Sequence, residues 1–137
     1  MQLNPYLMFK GDCREAFKHY AETFHGKIIM QSTWAEAPAG STSDPALKDQ
    51  IMHTTLDLGG GALLMGSDSP PQYYKPPQGI KVTVSIDDTA EAERVFNALA
   101  KGGNIEMPLQ ETFWAHRFGM CTDRFGIPWM VNYRKDS

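Results

Sequence analysis

Two amphipathic helical patterns recur in the chain at a shift of 76 residues, and this repetition limits the possible folds more than any other feature. In the first, Ala16, Phe17, Tyr20, Ala21 and Phe24 fall at helical spacing between Asp12 and Gly26. In the second, Ala92, Val95, Phe96 and Leu99 do so between Asp87-Asp88-Thr89 and Gly102-Gly103. The shift lays Glu15 on Glu91, Ala16 on Ala92, Tyr20 on Phe96 and Gly26 on Gly102. These are capping, core-facing and terminating positions, where a shared architecture forces similar residues. Helices are predicted at about Asp12–Phe24 and Asp88–Ala100. Asp12 and Glu15 stand at the capping-box offset, and Gly26 is expected to end the first helix as a C′ glycine.

Around each helix the apolar period shortens toward two. Leu3–Phe9, Lys27–Trp34, Gln50–Leu58 and Ala62–Gly66 read as strands of the first half. Ile80–Ile86, Ile105–Thr112 and a C-terminal hairpin read as strands of the second. That hairpin turns at Thr122-Asp-Arg-Phe-Gly126, with a Trp114-Ala-His-Arg117 cluster before the turn and Ile127–Tyr133 after it. Along Ile80–Ile86 the apolar residues suit the helix side, which turns Lys81, Thr83 and Ser85 toward the opposite face. The order βαβββ thus appears twice. It predicts an α+β fold, a single domain in which two βαβββ modules form a curved mixed sheet. Helices lie on the convex face and a concave cavity is left free for a small molecule. The repeats are expected at about 1–68 and 79–135, joined by the Pro-rich linker 69–78. Glu36–Leu47 reads as a loop, either a lid over a site or a plain connector. Gly59-Gly60-Gly61 opens a strand rather than a helix, so it is no phosphate cradle.

Composition narrows the function classes. A 42% hydrophobic chain of 137 residues can bury a core. A net charge of −3 without a basic stripe gives no footprint for nucleic acid or an anionic membrane. Cys13 and Cys121 lack motif spacing and are expected to be free thiols in a reducing compartment. No apolar run approaches a transmembrane length, and no secretory or lipidation signal is present. A cytoplasmic protein is expected.

Several residues can carry chemistry. His53 and His116, with Glu111 as a third member, could form a proton-transfer or metal group. Alternatively the two histidines are hydrogen-bonded and shape a pocket without catalysis. Glu111-Thr-Phe-Trp114 reads as strand, with Glu111 and Phe113 on one face and Thr112 and Trp114 on the other. Trp114 can stack a planar ligand or serve as a core or dimer contact. Arg117 is a surface arginine or an anion anchor, and Trp129 belongs to the core. His25 near a helix end complements the helix dipole, and His19 faces solvent. The methionines fill the core or line a permissive apolar pocket.

Paired βαβββ modules of this size resemble the vicinal oxygen chelate superfamily, which includes glyoxalase I, bleomycin-resistance proteins and extradiol dioxygenases. Asn4-Pro-Tyr-Leu, the helix from Asp12, Glu111-Thr-Phe-Trp-Ala-His116, Phe118-Gly119 and Thr122–Met130 are similar to its PhnB-like, demethylubiquinone-methyltransferase-like branch. The resemblance implies four metal-ligand positions, which carry over to Pro5, Met65, Lys81 and Met130. None suits a hard or borderline divalent ion, so no metal and no cofactor are expected there. Methyl transfer from S-adenosylmethionine usually needs a Gly-rich strand–turn–helix, and the chain has none. The expectation is a small-molecule-binding protein that works as a homodimer, as members of the superfamily commonly do. Tyr6, His53, Thr83, Glu111, Trp114 and His116 would line its pocket around a small organic ligand. The alternative is a divergent lyase, isomerase or dioxygenase with a relocated His53/Glu111/His116 site.

Overall fold

The computed structural model describes residues 1–38 and 45–136. The chain divides into two compact units, Met1–Lys75 and Pro76–Ser137. In the first, β1 (Tyr6–Phe9), α1 (Cys13–Phe24), β2 (Lys27–Thr33), β3 (Ile51–Gly59) and β4 (Ala62–Asp68) follow in chain order. In the second, β5 (Val82–Ser85), α2 (Thr89–Ala100), β6 (Asn104–Gln110), β7 (Ala115–Thr122) and β8 (Pro128–Arg134) repeat that order. The sheets are ordered β1-β4-β3-β2 and β5-β8-β7-β6. In each, the first strand runs parallel to the last and the other neighbours are antiparallel. The fold is therefore α+β, two βαβββ modules with a four-stranded mixed sheet apiece.

Each helix covers one face of its own sheet. Ala16, Phe17 and Tyr20 of α1 are buried together with Leu7, Phe9, Leu56 and Leu64 of the strands. Ala92, Val95, Phe96 and Leu99 of α2 are buried with Cys121, Trp129 and Val131. Each large side chain of this kind stabilises by about 1.5–3 kcal/mol relative to exposure. Both modules place a glycine beneath the helix. A Cβ on Gly66 would lie 2.6 Å from Phe17 Cε1, and one on Gly119 would lie 2.7 Å from Phe96 Cε1. The helices can seat their phenylalanines this deeply only because these two strand positions lack a side chain.

The ends of the helices show where local reading holds. At α2, Asp88 accepts a hydrogen bond from Glu91 N at 2.8 Å, as an N-cap should. At α1, Asp12 makes no such bond. The carboxylate of Asp68, at the end of β4, does the work instead. Its Oδ1 accepts from Gly11 N (2.8 Å) and Cys13 N (3.0 Å), and its Oδ2 from Ile51 N (2.9 Å). At the other end of α1, His25 takes the left-handed conformation (φ 55°) expected of the glycine after it. Gly26 is required for a different reason: a Cβ there would sit 2.8 Å from Asp57 O.

Other boundaries also differ from expectation. β1 begins at Tyr6 and β5 at Val82, and Ile80 is 73% exposed outside the strand. Glu111–Trp114 is not strand. Thr112 N donates to Ala115 O, and Ala115 N donates to Thr112 Oγ1, so the stretch folds into the β6–β7 turn despite its β-forming composition. Pro71–Tyr73 forms a 3₁₀ turn within the Pro-rich segment. Trp34–Glu36 and Pro45–Leu47 do the same at the ends of the expected loop, whose residues 39–44 lie outside those described. Among the described residues no helix is long and apolar enough to cross a membrane. Cys13 and Cys121 are free and buried.

Candidate functional site: the open sheet faces

The face of each sheet turned away from its own helix is set by strand parity. In the first module Tyr6 and Met8 alternate with the buried Leu7 and Phe9. Register places Tyr6 beside Met65, Met65 beside Thr55, and Thr55 beside Met30. His53 lies two residues before Thr55, on the same face. The Tyr6 hydroxyl is 3.0 Å from His53 Nδ1, and His53 Nε2 is 2.8 Å from Thr55 Oγ1. An imidazole with one N–H completes this chain in either tautomer, one ring nitrogen donating and the other accepting. Beside it, Ser67 Oγ donates to Met8 Sδ at 3.6 Å.

The second module's open face is built differently. Thr83, Met130, Met120 and Met107 form one row across β5, β8, β7 and β6. Thr83 Oγ1 donates to Met130 Sδ at 3.7 Å. Directly opposed side chains on a sheet lie about 5 Å apart at Cβ, so the three thioethers make a soft, polarizable strip. The next row holds Ser85, Asn132, Phe118 and Gln110. Trp114 packs edge-on against Phe118 (ring centroids 5.3 Å apart), and Phe113 against Trp114 (4.9 Å). A cavity of about 550 Å³ is lined by Phe113, Trp114, Asn132, Arg134, Lys135 and Asp136. A second, of about 270 Å³, is lined by Ser85, Ile86, Asp87 and again Asn132 and Arg134.

The six residues singled out from the sequence fall into separate neighbourhoods. Tyr6 and His53 are brought into direct contact. Thr83 joins the methionine row. Glu111 pairs with Lys135 Nζ at 3.0 Å, and that hydrogen bond and charge hold its carboxyl below the ordinary range. Trp114 flanks the larger cavity. His116 stacks obliquely on Tyr133, with ring centroids 4.6 Å apart. Arg117 binds Glu93 of α2 at 3.5 Å and is a helix contact in this state. Trp129 is buried, its Nε1 donating to Asp123 Oδ2 at 2.8 Å. Sequence reasoning missed Asn132 and Arg134. They follow Met130 at strand spacing, and that alternation was the available signal.

The four implied metal positions need one adjustment. Strand pairing sets Tyr6, not Pro5, opposite Met65, and Thr83, not Lys81, opposite Met130. Pro5 contributes only its carbonyl, which accepts from Met65 N. Lys81 is 3.5 Å from Glu106 Oε1. Thioethers, a phenol and a hydroxyl do not fit a hard divalent ion. Among the described residues no group of three or more His, Cys, Asp or Glu side chains is placed to hold a metal.

Residues 1–132 match the model of the 3-demethylubiquinone-9 3-methyltransferase family. The chain belongs to this family. Within the vicinal oxygen chelate superfamily it is the PhnB-like branch that the sequence motifs resemble. Protein YjdN of Escherichia coli (strain K12) is 35% identical over 98% of this chain and 97% of its own. Protein PA1353 from Pseudomonas aeruginosa, a crystal structure, is 45% identical over 98% of each chain, with a TM-score of 0.90. A glyoxylase/bleomycin resistance protein/dioxygenase domain from Frankia sp. EAN1pec superposes at a TM-score of 0.69 over 98% of each chain. At 14% identity this last likeness shows the common fold alone.

Proposed function

We propose that this member of the family is a small-molecule-binding protein that holds an organic ligand without the superfamily's usual metal set. The observation that carries the reading is the 550 Å³ cavity beside Trp114, Asn132 and Arg134. Its size lies within the range of small-ligand sites, and it combines aromatic walls with a few polar groups. The methionine row next to Asn132 adds a surface that adapts to ligand shape. Tyr6, His53, Thr83, Glu111, Trp114 and His116 belong to the proposed binding surfaces of the two modules. The protein is proposed to act in the cytoplasm as a homodimer. Thermal-shift screening of the full chain against a panel of small aromatic and aliphatic acids, amides and alcohols tests the reading. At least one class should raise Tm in a saturable way, and a silent panel refutes it. Light scattering at micromolar concentration tests the dimer, and a monomer mass overturns it.

A second reading, a divergent lyase, isomerase or dioxygenase, is favoured by one observation. The Tyr6–His53–Thr55 chain can move a proton along its hydrogen bonds. Titration with Zn²⁺, Ni²⁺ and Mn²⁺ separates the two readings. Stoichiometric binding that is lost on His53→Ala or His116→Ala would replace the binding-only function with the enzymatic one.

A further inference from the structure

We infer that the second module's cavity takes a small aryl carboxylate bearing a hydrogen-bond donor on the far side of its ring, with Arg134 holding the carboxylate and Asn132 accepting from the donor. This rests on the small-molecule reading above and names the ligand class. Asn132 Oδ1 is buried and has no hydrogen-bond partner among the described residues. A buried carbonyl without a donor is destabilising, so such groups are rare and call for an explanation. Asn132 also lines both cavities. Rotation about its last side-chain torsion, which has broad minima, would turn the carbonyl to a donor brought by a ligand. An incoming N–H or O–H would satisfy this acceptor.

Arg134 lies two residues on, on the same strand face, so the two side chains leave the sheet about 7 Å apart. A benzene ring substituted at opposite ends spans that gap. Arg134 Nη2 donates to Asp136 Oδ2 at 2.6 Å, but both side chains are more than half exposed. Such a pair contributes little, and a guanidinium has five donors, so most of the fork remains for a second carboxylate. Lys135 and Asp136 line the same cavity, and Lys135 is paired with Glu111 at 3.0 Å, so the ligand's carboxylate rests on Arg134. The ring itself would lie against Trp114, which is 41% exposed and is held edge-on by Phe113 and Phe118. A neutral ligand would leave Arg134 unused, and an anion without a donor would leave Asn132 as it is.

Three matched compounds test this by calorimetry on the full chain at pH 7. 4-Aminobenzoate carries both groups, 4-methylbenzoate lacks the donor, and 4-aminobenzamide lacks the charge. Wild type is expected to bind 4-aminobenzoate at least tenfold tighter than either. Asn132→Leu should bring 4-aminobenzoate level with 4-methylbenzoate without lowering Tm, because the lost carbonyl has no partner among the described residues. Asn132→Ala replaces it should leucine overpack the site. Arg134→Gln should bring 4-aminobenzoate level with 4-aminobenzamide. Trp114→Ala should weaken all three alike. Equal binding of the three by wild type, binding of none, or discrimination that survives both substitutions overturns the assignment. The broader small-molecule reading falls separately, only if the wider panel is also silent.

Discussion

Replacing Asp68 by asparagine should cost this protein a sizeable part of its stability, although Asp68 lines neither of the two cavities described above. The side chain is 1% exposed and its two oxygens accept three backbone N–H bonds, from Gly11, Cys13 and Ile51. Those donors belong to the β1–α1 turn, the first turn of α1 and the start of β3, so one carboxylate ties three elements to the end of β4. In Asp68→Asn, the retained oxygen can still serve Gly11 and Cys13. The new amide NH₂ then faces Ile51 N, donor against donor. One charge-assisted bond, about 1.5–3 kcal/mol, is lost, a buried N–H is left unpaired, and the two remaining bonds weaken. The sum is about 2–4 kcal/mol against a total of about 5–15 kcal/mol for a typical domain. With a urea m-value of about 2 kcal/mol/M, the unfolding midpoint should fall by about 1–2 M in circular dichroism titrations. Asp57→Asn removes the same charge from a more exposed turn and keeps its oxygen for Gly59 N, so it should change stability by no more than about 0.5 kcal/mol. A loss below about 1 kcal/mol for Asp68→Asn, or equal losses for both variants, would refute the anchoring role.

Gly103→Ala should be the harsher of two glycine substitutions, because its Cβ would meet the backbone oxygen of Thr122 at 2.1 Å, whereas Gly66→Ala meets the ring of Phe17 at 2.6 Å. The second should cost about 1–3 kcal/mol and the first more, read from the same urea titrations. Burial pushes the Cys121 thiol up to about 11 and Cys13 further still. Neither thiol should therefore react with an aromatic disulfide reagent at pH 8 in the native protein, and both should react in denaturant. Because the folded state keeps these protons longer than the unfolded chain, stability should decline as pH rises above about 9, measured as a falling Tm. Lys135→Met should raise the Glu111 carboxyl back toward the ordinary range, followed by NMR titration of the side-chain carbon.

The sequence made legible what is local and periodic. Both helices stand where their apolar spacing put them, and Asp88 caps α2 because the capping residue and its donor are three positions apart. The cap of α1 was hidden because its carboxylate comes from Asp68, more than fifty residues downstream. The same limit applies to Glu111–Trp114. Strand propensity favoured an extended run, but the Thr112 hydroxyl closes a turn onto Ala115, and a side-chain bond of this kind leaves no periodic trace. The Tyr6–His53 contact depends on the register of β1, β4 and β3 together. Each residue could be marked as a candidate from its chemistry, while their meeting is a property of pairing.

The duplicated frame explains why a single shift could place the helices and still misplace the residues beside them. Helices superpose at 76 residues, but Tyr6 of β1 corresponds to Thr83 of β5, a shift of 77, and their partners Met65 and Met130 are 65 apart. On a strand one residue is the difference between the helix side and the open side, so the helical offset turns Pro5 and Lys81 to positions the sheet does not use. What the two modules share is a kind of framework rather than matched positions. Each has a phenylalanine seated on a strand glycine, Gly66 on β4 in one and Gly119 on β7 in the other, and each has a buried aspartate that accepts backbone N–H bonds, Asp68 at the end of β4 and Asp123 in the β7–β8 turn. Each also has a methionine on the open side of its last strand. What they do not share is the chemistry around that methionine. The first module surrounds Met65 with a phenol, an imidazole and a hydroxyl in one hydrogen-bonded chain. The second surrounds Met130 with two more thioethers and an asparagine whose carbonyl has no partner among the described residues. A frame held constant while its open faces diverge is what duplication yields when packing constrains one side of a sheet and ligand chemistry the other. The substitutions that alter binding should accordingly fall among residues such as Asn132 and Arg134, and those that alter stability among residues such as Asp68 and Gly103.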